Sequence, residues 1–195
     1  KRQVVTIKVF DSELDKHFLV ELAMQQLTDD TWQITKINNL KTLINERDQA
    51  LQNKLSELNT PVQKQIDDAV AVSPQKIFIT SAPYSGIIRL LEADIQLTNN
   101  AMKELQYFTG VLELYNADNE LFYSGNFASS KDLAAKQTAI YKFNWELNPF
   151  LTDDAKVMNS DFSKVTWKAS LSSLSFADGS TIELLTQLPV KAATK

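Results

Sequence analysis

The sequence predicts an α+β chain in two parts: a small antiparallel sheet with following helices over residues 1–73, then a β-sandwich over 74–195. Three observations carry this. Apolar residues recur at period two as far as residue 37, at spacings of three and four from 40 to 70, and at period two again from about 76. Ser73-Pro74 stands between the helical and the second β part, and a residue before proline is driven out of helical backbone. From 76 onward several strands alternate with turn signals, the pattern of two packed sheets.

The elements follow in order. Residues 4–10 (VVTIKVF) and 18–27 (FLVELAMQQL) are rich in strand formers, and Phe18, Val20, Leu22 and Met24 fall on one face. Residues 11–16 connect them, Thr28-Asp29-Asp30 turns again, and Trp32–Ile37 reads as a third strand of an antiparallel meander. Leu40, Leu43, Ile44, Arg47, Leu51, Leu55 and Leu58 then make one helical stripe, with Asn38 or Asn39 able to cap its start. Asn59-Thr60-Pro61 breaks this helix in the expected reading. Thr60, with Gln63 three residues on and Pro61 at the first helical position, starts a second one.

In the second part, Leu91, Ala93, Ile95 and Leu97 share a face, and Asn99-Asn100 stops that strand. Residues 105–115 form another strand. Tyr141, Phe143, Trp145 and Leu147 alternate with polar residues, as do Val165, Trp167, Ala169 and Leu171. Leu174 and Phe176 are out of phase with Leu171, which predicts a bulge at Ser172-Ser173. An Ala177-Asp178-Gly179 loop of three residues brings Leu174 opposite Ile182 and puts glycine where φ is positive. Ala117-Asp118-Asn119 repeats the design and is expected to pair Leu114 with Phe122.

Composition narrows the chemistry. Net charge is −4 with both signs interspersed, so no basic stripe marks a nucleic-acid partner. No apolar run reaches the length of a transmembrane helix. The chain contains no cysteine, which removes thiol nucleophiles and thiolate metal sites, and one histidine, His17, which cannot supply a His-rich metal centre. Asp29-Asp30, Asp67-Asp68 and Asp153-Asp154 are adjacent pairs rather than the alternating oxygens of a calcium loop, and read as solvated or capping groups. The four glycines form no phosphate-binding cluster, and G-x-S-x-G is absent. No catalytic, cofactor-binding or metal residue is assigned. The strand 105–115 does carry bulky groups on both faces. Phe108, Leu112 and Leu114 face one way; Tyr107, Val111 and Tyr115 face the other and are the candidate contact face.

The run Phe18–Asn38, ending in Trp32-Gln-Ile-Thr-Lys-Ile37, resembles the closing strands of cystatin-like and nuclear-transport-factor-like curved sheets. Leu91–Asn99 followed by Leu112-Glu-Leu-Tyr-Asn-Ala-Asp-Asn-Glu-Leu121 resembles the immunoglobulin-like modules of exported bacterial proteins. The resemblance implies an immunoglobulin-like β-sandwich over 74–195 and carries no catalytic residues across. The start at Lys1-Arg2-Gln3, straight into Val4, is read as the soluble part of a longer chain, periplasmic or anchored outside the cytoplasm. The leading expectation is a non-catalytic envelope or exported protein that binds another protein or a cell-envelope polymer, touching the membrane only through a missing N-terminal anchor. The alternative is a small-ligand-binding protein with an apolar cavity between the first sheet and helix 40–58. A hydrolase with a spatial carboxylate pair comes third.

Overall fold

Strand formers at the start of the chain give β1 (Arg2–Asp11), folded back into β2 (Lys16–Gln26) in a ladder that sets Val9 opposite Phe18 and Ile7 opposite Val20. The computed structural model describes residues 1–189; residues 190–195, the end of the expected second part, lie outside them. The turn between these strands is built by Asp11, whose Oδ1 accepts the N–H groups of Glu13 (3.0 Å) and Leu14 (3.1 Å). β3 (Trp32–Ile37) pairs with the other edge of β2, completing an antiparallel sheet of order β1-β2-β3. Phe18, Val20 and Leu22 are buried, as their alternation predicts.

The helical stripe begins at Leu40 as expected, but one helix, α1 (Leu40–Ala69), replaces the two anticipated, with Pro61 inside it. An interior proline loses a backbone hydrogen bond and crowds the preceding turn, at a cost of about 3 kcal/mol. Burial on either side offsets this. Leu55 and Leu58 belong to one apolar core, Val62 and Ile66 to another. Thr60 does not cap; its hydroxyl donates to the Ser56 carbonyl at 2.8 Å, as mid-helix threonines do. Nor does Asn39 cap with its side chain, which instead accepts from the Glu21 N–H and donates to the Leu19 carbonyl, tying the helix start to β2.

The chain divides into two compact units at Thr60/Pro61, earlier than the boundary expected at Ser73-Pro74, and the segment from Leu185 returns to the first unit. Asn59 holds that segment by a reciprocal pair, donating to the Leu185 carbonyl (2.9 Å) and accepting its N–H (2.7 Å). Leu188 is buried there with Leu14, Phe18 and Leu55. Ser73-Pro74 lies within β4 (Val70–Ser81). Proline is accepted there because β4 is an edge strand and its pairing breaks at a bulge between Pro74 and Lys76.

The second unit holds two antiparallel sheets. One has the order β4-β5-β8, with β5 (Arg89–Asn99) and β8 (Thr138–Leu147). The other has the order β10-β9-β6-β7, with β6 (Leu105–Tyr115), β7 (Leu121–Ser129), β9 (Thr166–Phe176) and β10 (Thr181–Glu183). Their facing sides share one core. Leu91, Ala93, Ile95 and Leu97 of β5 are fully buried, as are Phe108, Leu112 and Leu114 of β6 and Leu171 and Leu174 of β9. The Phe108 ring meets Tyr141 edge-on at 5.0 Å across the sheets. A short helix, α2 (Thr152–Met158), packs on β7 and β8 through buried Val157.

Turn chemistry accounts for the second unit's register. The bulge expected at Ser172-Ser173 is present: Thr109 pairs with Ser173 and Gly110 with Leu171, leaving Ser172 unpaired in the ladder. The Ala177-Asp178-Gly179 loop pairs Leu174 with Ile182, and Gly179 adopts φ +81°. Asn119 takes the equivalent left-handed position at φ +60°. The pairing beyond it differs from expectation, since Leu114 opposes Tyr123 rather than Phe122. A bulge at that point lets the adjacent rings of Phe122 and Tyr123 both pack against the core, which strict alternation would forbid.

Candidate functional site

β6 is a central strand, so one face goes to the core and the other belongs to the outside of its sheet. Tyr107, Val111 and Tyr115 lie together on that outer face. Tyr107 is 41% exposed, and Val111 and Tyr115 are half-buried. The Tyr115 hydroxyl donates to Glu113 Oε2 at 2.8 Å, a bond that raises its pKa, and the Lys168 ammonium lies 4.7 Å from its ring. Ser170 stands opposite Val111 on β9, Thr166 opposite Tyr115, and Asn126 opposite Val111 on β7; all three are exposed. The result is an open surface of hydroxyl and amide groups around one free ring.

Carboxylates are used to build turns. In Asp29-Asp30-Thr31, Asp161-Phe162-Ser163 and Asp178-Gly179-Ser180, the first carboxylate accepts both the backbone N–H and the hydroxyl of the residue two ahead. These bonds favour the charged form, and all three groups have depressed pKa values. For Asp178 the largest cause is Lys103, whose ammonium sits 2.8 Å away. Asp67 and Asp68 bind Gln63 and Lys64 one helical turn back, and Asp153 and Asp154 bind Lys156 and the Asn148 N–H. Among the described residues no group of three or more His, Asp or Glu could hold a metal ion. His17 lies against the Phe10 ring at 4.9 Å on the surface of the first sheet.

In the first unit, a recess of about 420 Å³ opens between the sheet and α1. Val9, Phe18, Val20 and Leu43 give it apolar walls. Arg47 stands at its rim, donating through Nε to Asp11 (2.9 Å) and through Nη2 to Glu13 (2.8 Å). This is a spatial carboxylate pair, but one bridged by a guanidinium. The pKa of Asp11 is lowered, chiefly by the Leu14 N–H, whereas a general acid needs a raised one.

A larger cleft, of about 790 Å³, lies in the second unit between β7 and the start of α2. Leu121–Ser124 form one wall and Leu151–Asp154 with Lys156 the other. A recess of about 420 Å³ shares Phe122 and Lys156 with it. Phe150 and Leu151, just before α2, are 83% and 57% exposed. Burial raises the pKa of Tyr123, and the charge of Asp154 adds to this. Sequence reasoning missed the cleft because α2 is two turns long with one buried residue, too short to show a helical period. Adjacent Phe150-Leu151 after Asn148-Pro149 is the sequence signal that could have marked the α2 wall of the cleft, though not the strand edge facing it.

No family model matches the chain, and no curated protein matches it. Three solved structures are similar at low TM-score. A Northeast Structural Genomics Consortium target studied by X-ray crystallography is 12% identical, over 60% of this chain and 80% of its own, with a TM-score of 0.37. A protein assigned as ApaA from Bordetella pertussis is 12% identical over 60% of this chain and 86% of its own, at 0.32. A protein assigned as a beta-galactosidase from Bacteroides fragilis is 18% identical over 59% of this chain and 15% of its own, at 0.25.

Proposed function

We propose that this chain is a non-catalytic binding protein whose second unit is an immunoglobulin-like sandwich that presents the outer face of β6 to a partner protein. The strand order supports the fold reading. The first, second and fifth strands of the unit share one sheet, and the third, sixth and seventh share the other, as in immunoglobulin-like domains. The fourth strand pairs with the third. The observation that carries the functional reading is the exposed Tyr107 ring on an otherwise hydroxyl-rich central-strand face. Tyrosine contributes rigid amphipathic contact area at low entropic cost and is enriched at protein interfaces. A polymer of sugars is the less favoured partner, because Tyr115 is half-buried beneath Lys168 and leaves one ring free rather than a platform.

The test is photo-crosslinking in the native host, with a photoreactive phenylalanine analogue replacing Tyr107 in the full chain. A discrete protein adduct at this position, absent when the analogue replaces the more exposed Met102 of the same unit, is the expected result. No adduct above the Met102 control overturns the reading, and a carbohydrate adduct replaces the protein partner by a polymer.

A second reading rests on the 420 Å³ recess beside Arg47 in the first unit, whose volume falls within the range of small-molecule sites. Native mass spectrometry of the chain purified from its own host tests it. An adduct of small-molecule mass that vanishes on denaturation supports a ligand there, and a clean mass removes this reading.

A further inference from the structure

The edge of β7 provides an observation independent of side-chain exposure. β7 ends its sheet and pairs only with β6. In an antiparallel strand, successive residues direct their backbone N–H and C=O alternately toward one neighbour and the other. Trp145 Nε1 donates to the Asn126 carbonyl at 2.7 Å, so the backbone of Asn126 points away from β6. Ser124, two residues earlier, therefore points the same way. At the other end, Glu120 closes the hairpin by accepting the Asn116 N–H at 3.0 Å, which turns the next residue, Leu121, outward as well. Leu121 and Ser124 both line the 790 Å³ cleft. Among the described residues neither backbone has a partner on that side.

The two halves of this edge are thus treated differently. Where Trp145 lies over Gly125, close enough that an added Cβ would meet its ring within 3 Å, the edge is closed and its carbonyl satisfied. Over Leu121–Ser124 the edge is open, and α2 stands beside it without filling the gap. Unpaired strand edges are ordinarily blocked, because they recruit further strands.

We infer that the cleft between β7 and α2 receives an extended peptide segment of a partner protein, which adds a strand beside Leu121–Ser124. This rests on the reading of the chain as a protein-binding module and adds a second contact, at the β7 edge, to the β6 face. The occupant's chemistry follows from the walls. The unpaired Ser124 and Leu121 groups call for a backbone, which supplies donors and acceptors at strand spacing. Side chains of an added strand alternate, and those directed inward meet Phe122, Tyr123 and Leu151, so alternate positions are apolar. A second copy of this chain fits less well, because a two-fold edge-to-edge pairing would bring the partner's own α2 against this α2.

The experiment selects a random octapeptide display library against the full chain and measures the enriched peptides by fluorescence anisotropy. The expected result is peptides with apolar residues at alternate positions. Their affinity falls about tenfold or more when alternate backbone amides are N-methylated, as loss of edge hydrogen bonds predicts. Ser124→Pro, which deletes an outward N–H while leaving the pairing to β6 intact, gives a similar loss. The N-methylated peptides test the same bonds on unaltered protein, so misfolding of the variant cannot decide the matter. Failure to enrich any peptide, or affinity indifferent to N-methylation, overturns strand addition. Peptides that lose affinity on Tyr107→Ala but not on Ser124→Pro overturn it while keeping the protein-binding reading. A dimer of the full chain in sedimentation that Ser124→Pro dissolves assigns the edge to a second copy and overturns it too.

Discussion

β2 and β5 carry the same alternation, and the two units bury it to different depths. In β5, Leu91, Ala93, Ile95 and Leu97 have no exposed surface at all. In β2, Phe18, Val20 and Leu22 are buried, yet Val9 and Ile7, which face them across the ladder from β1, remain 43% and 41% exposed. The covering layer explains the contrast. Strands lie about 4.8 Å apart and a helix is about 10–12 Å wide with its side chains, so one helix spans about two strands and leaves part of a three-stranded face uncovered. A facing sheet covers every strand at once. The alternation of a strand thus reports which face seeks cover, and the opposing layer decides how much of it is found.

The largest effect expected from this contrast is on stability. Phe108→Ala empties a fully buried site touched by Phe127, Tyr141 and Phe143, and should cost about 3–5 kcal/mol. Val9→Ala, at the thinly covered edge of the first sheet, should cost less than about 1 kcal/mol. Urea unfolding can follow the units separately, because Trp32 lies in the first and Trp145 and Trp167 in the second. Equal costs would mean that the two sheets are covered alike.

Asn99 comes next. It is the only buried polar residue among those described, at the end of β5, and its Nδ2 donates to the carbonyls of Lys103 (2.8 Å) and Leu133 (2.9 Å). Asn99→Ala strands the Lys103 carbonyl, while that of Leu133 keeps the Leu105 N–H, and should cost about 1–3 kcal/mol in the same urea experiment, in the second unit's transition only. A smaller effect belongs to Gly179. Its φ of +81° makes Gly179→Ala cost about 1 kcal/mol in thermal unfolding. Gly86→Ala, where an added Cβ meets nothing within 4 Å and no positive φ is required, should change stability by less than about 0.5 kcal/mol.

Local chemistry was legible where one residue decides one outcome. The phase slip between Leu171 and Leu174 located the bulge, and Asp178-Gly179 specified the loop length, because register follows the buried face. The buried face of β6 and its opposite, carrying Tyr107, Val111 and Tyr115, were legible for the same reason. Competing signals were not. Thr60-Pro61-Val62-Gln63 has the composition of a helix start, and tertiary burial of Leu55 and Ile66 on either side overrides it. Pro74 reads as a stop in isolation, but an edge strand at a bulge has no ladder bond for it to break. The open edge beside α2 could not be read at all, since it depends on which strand ends the sheet.

The smallest effect concerns the groups that hold a carboxylate in each unit. Asp178 and Asp11 both have folded pKa values below the ordinary carboxylate range, for different leading reasons: the Lys103 side chain for Asp178, the Leu14 backbone N–H for Asp11. A group whose pKa is depressed on folding favours the native state above its unfolded pKa of about 3.9. That contribution is lost as pH falls through the lower folded value. Both groups therefore make the protein less stable on acidification below about pH 4, not on raising the pH. Carboxyl-carbon NMR titration separates the causes. Lys103→Met should move the Asp178 midpoint upward toward the ordinary range, because the first of its stabilising partners is gone. Arg47→Met should move Asp11 less, because the N–H groups of Leu14 and Glu13 remain on Oδ1. A larger shift at Asp11 than at Asp178 would mean that the Arg47 bridge, rather than the turn it spans, fixes the charge at the rim of the first unit's recess.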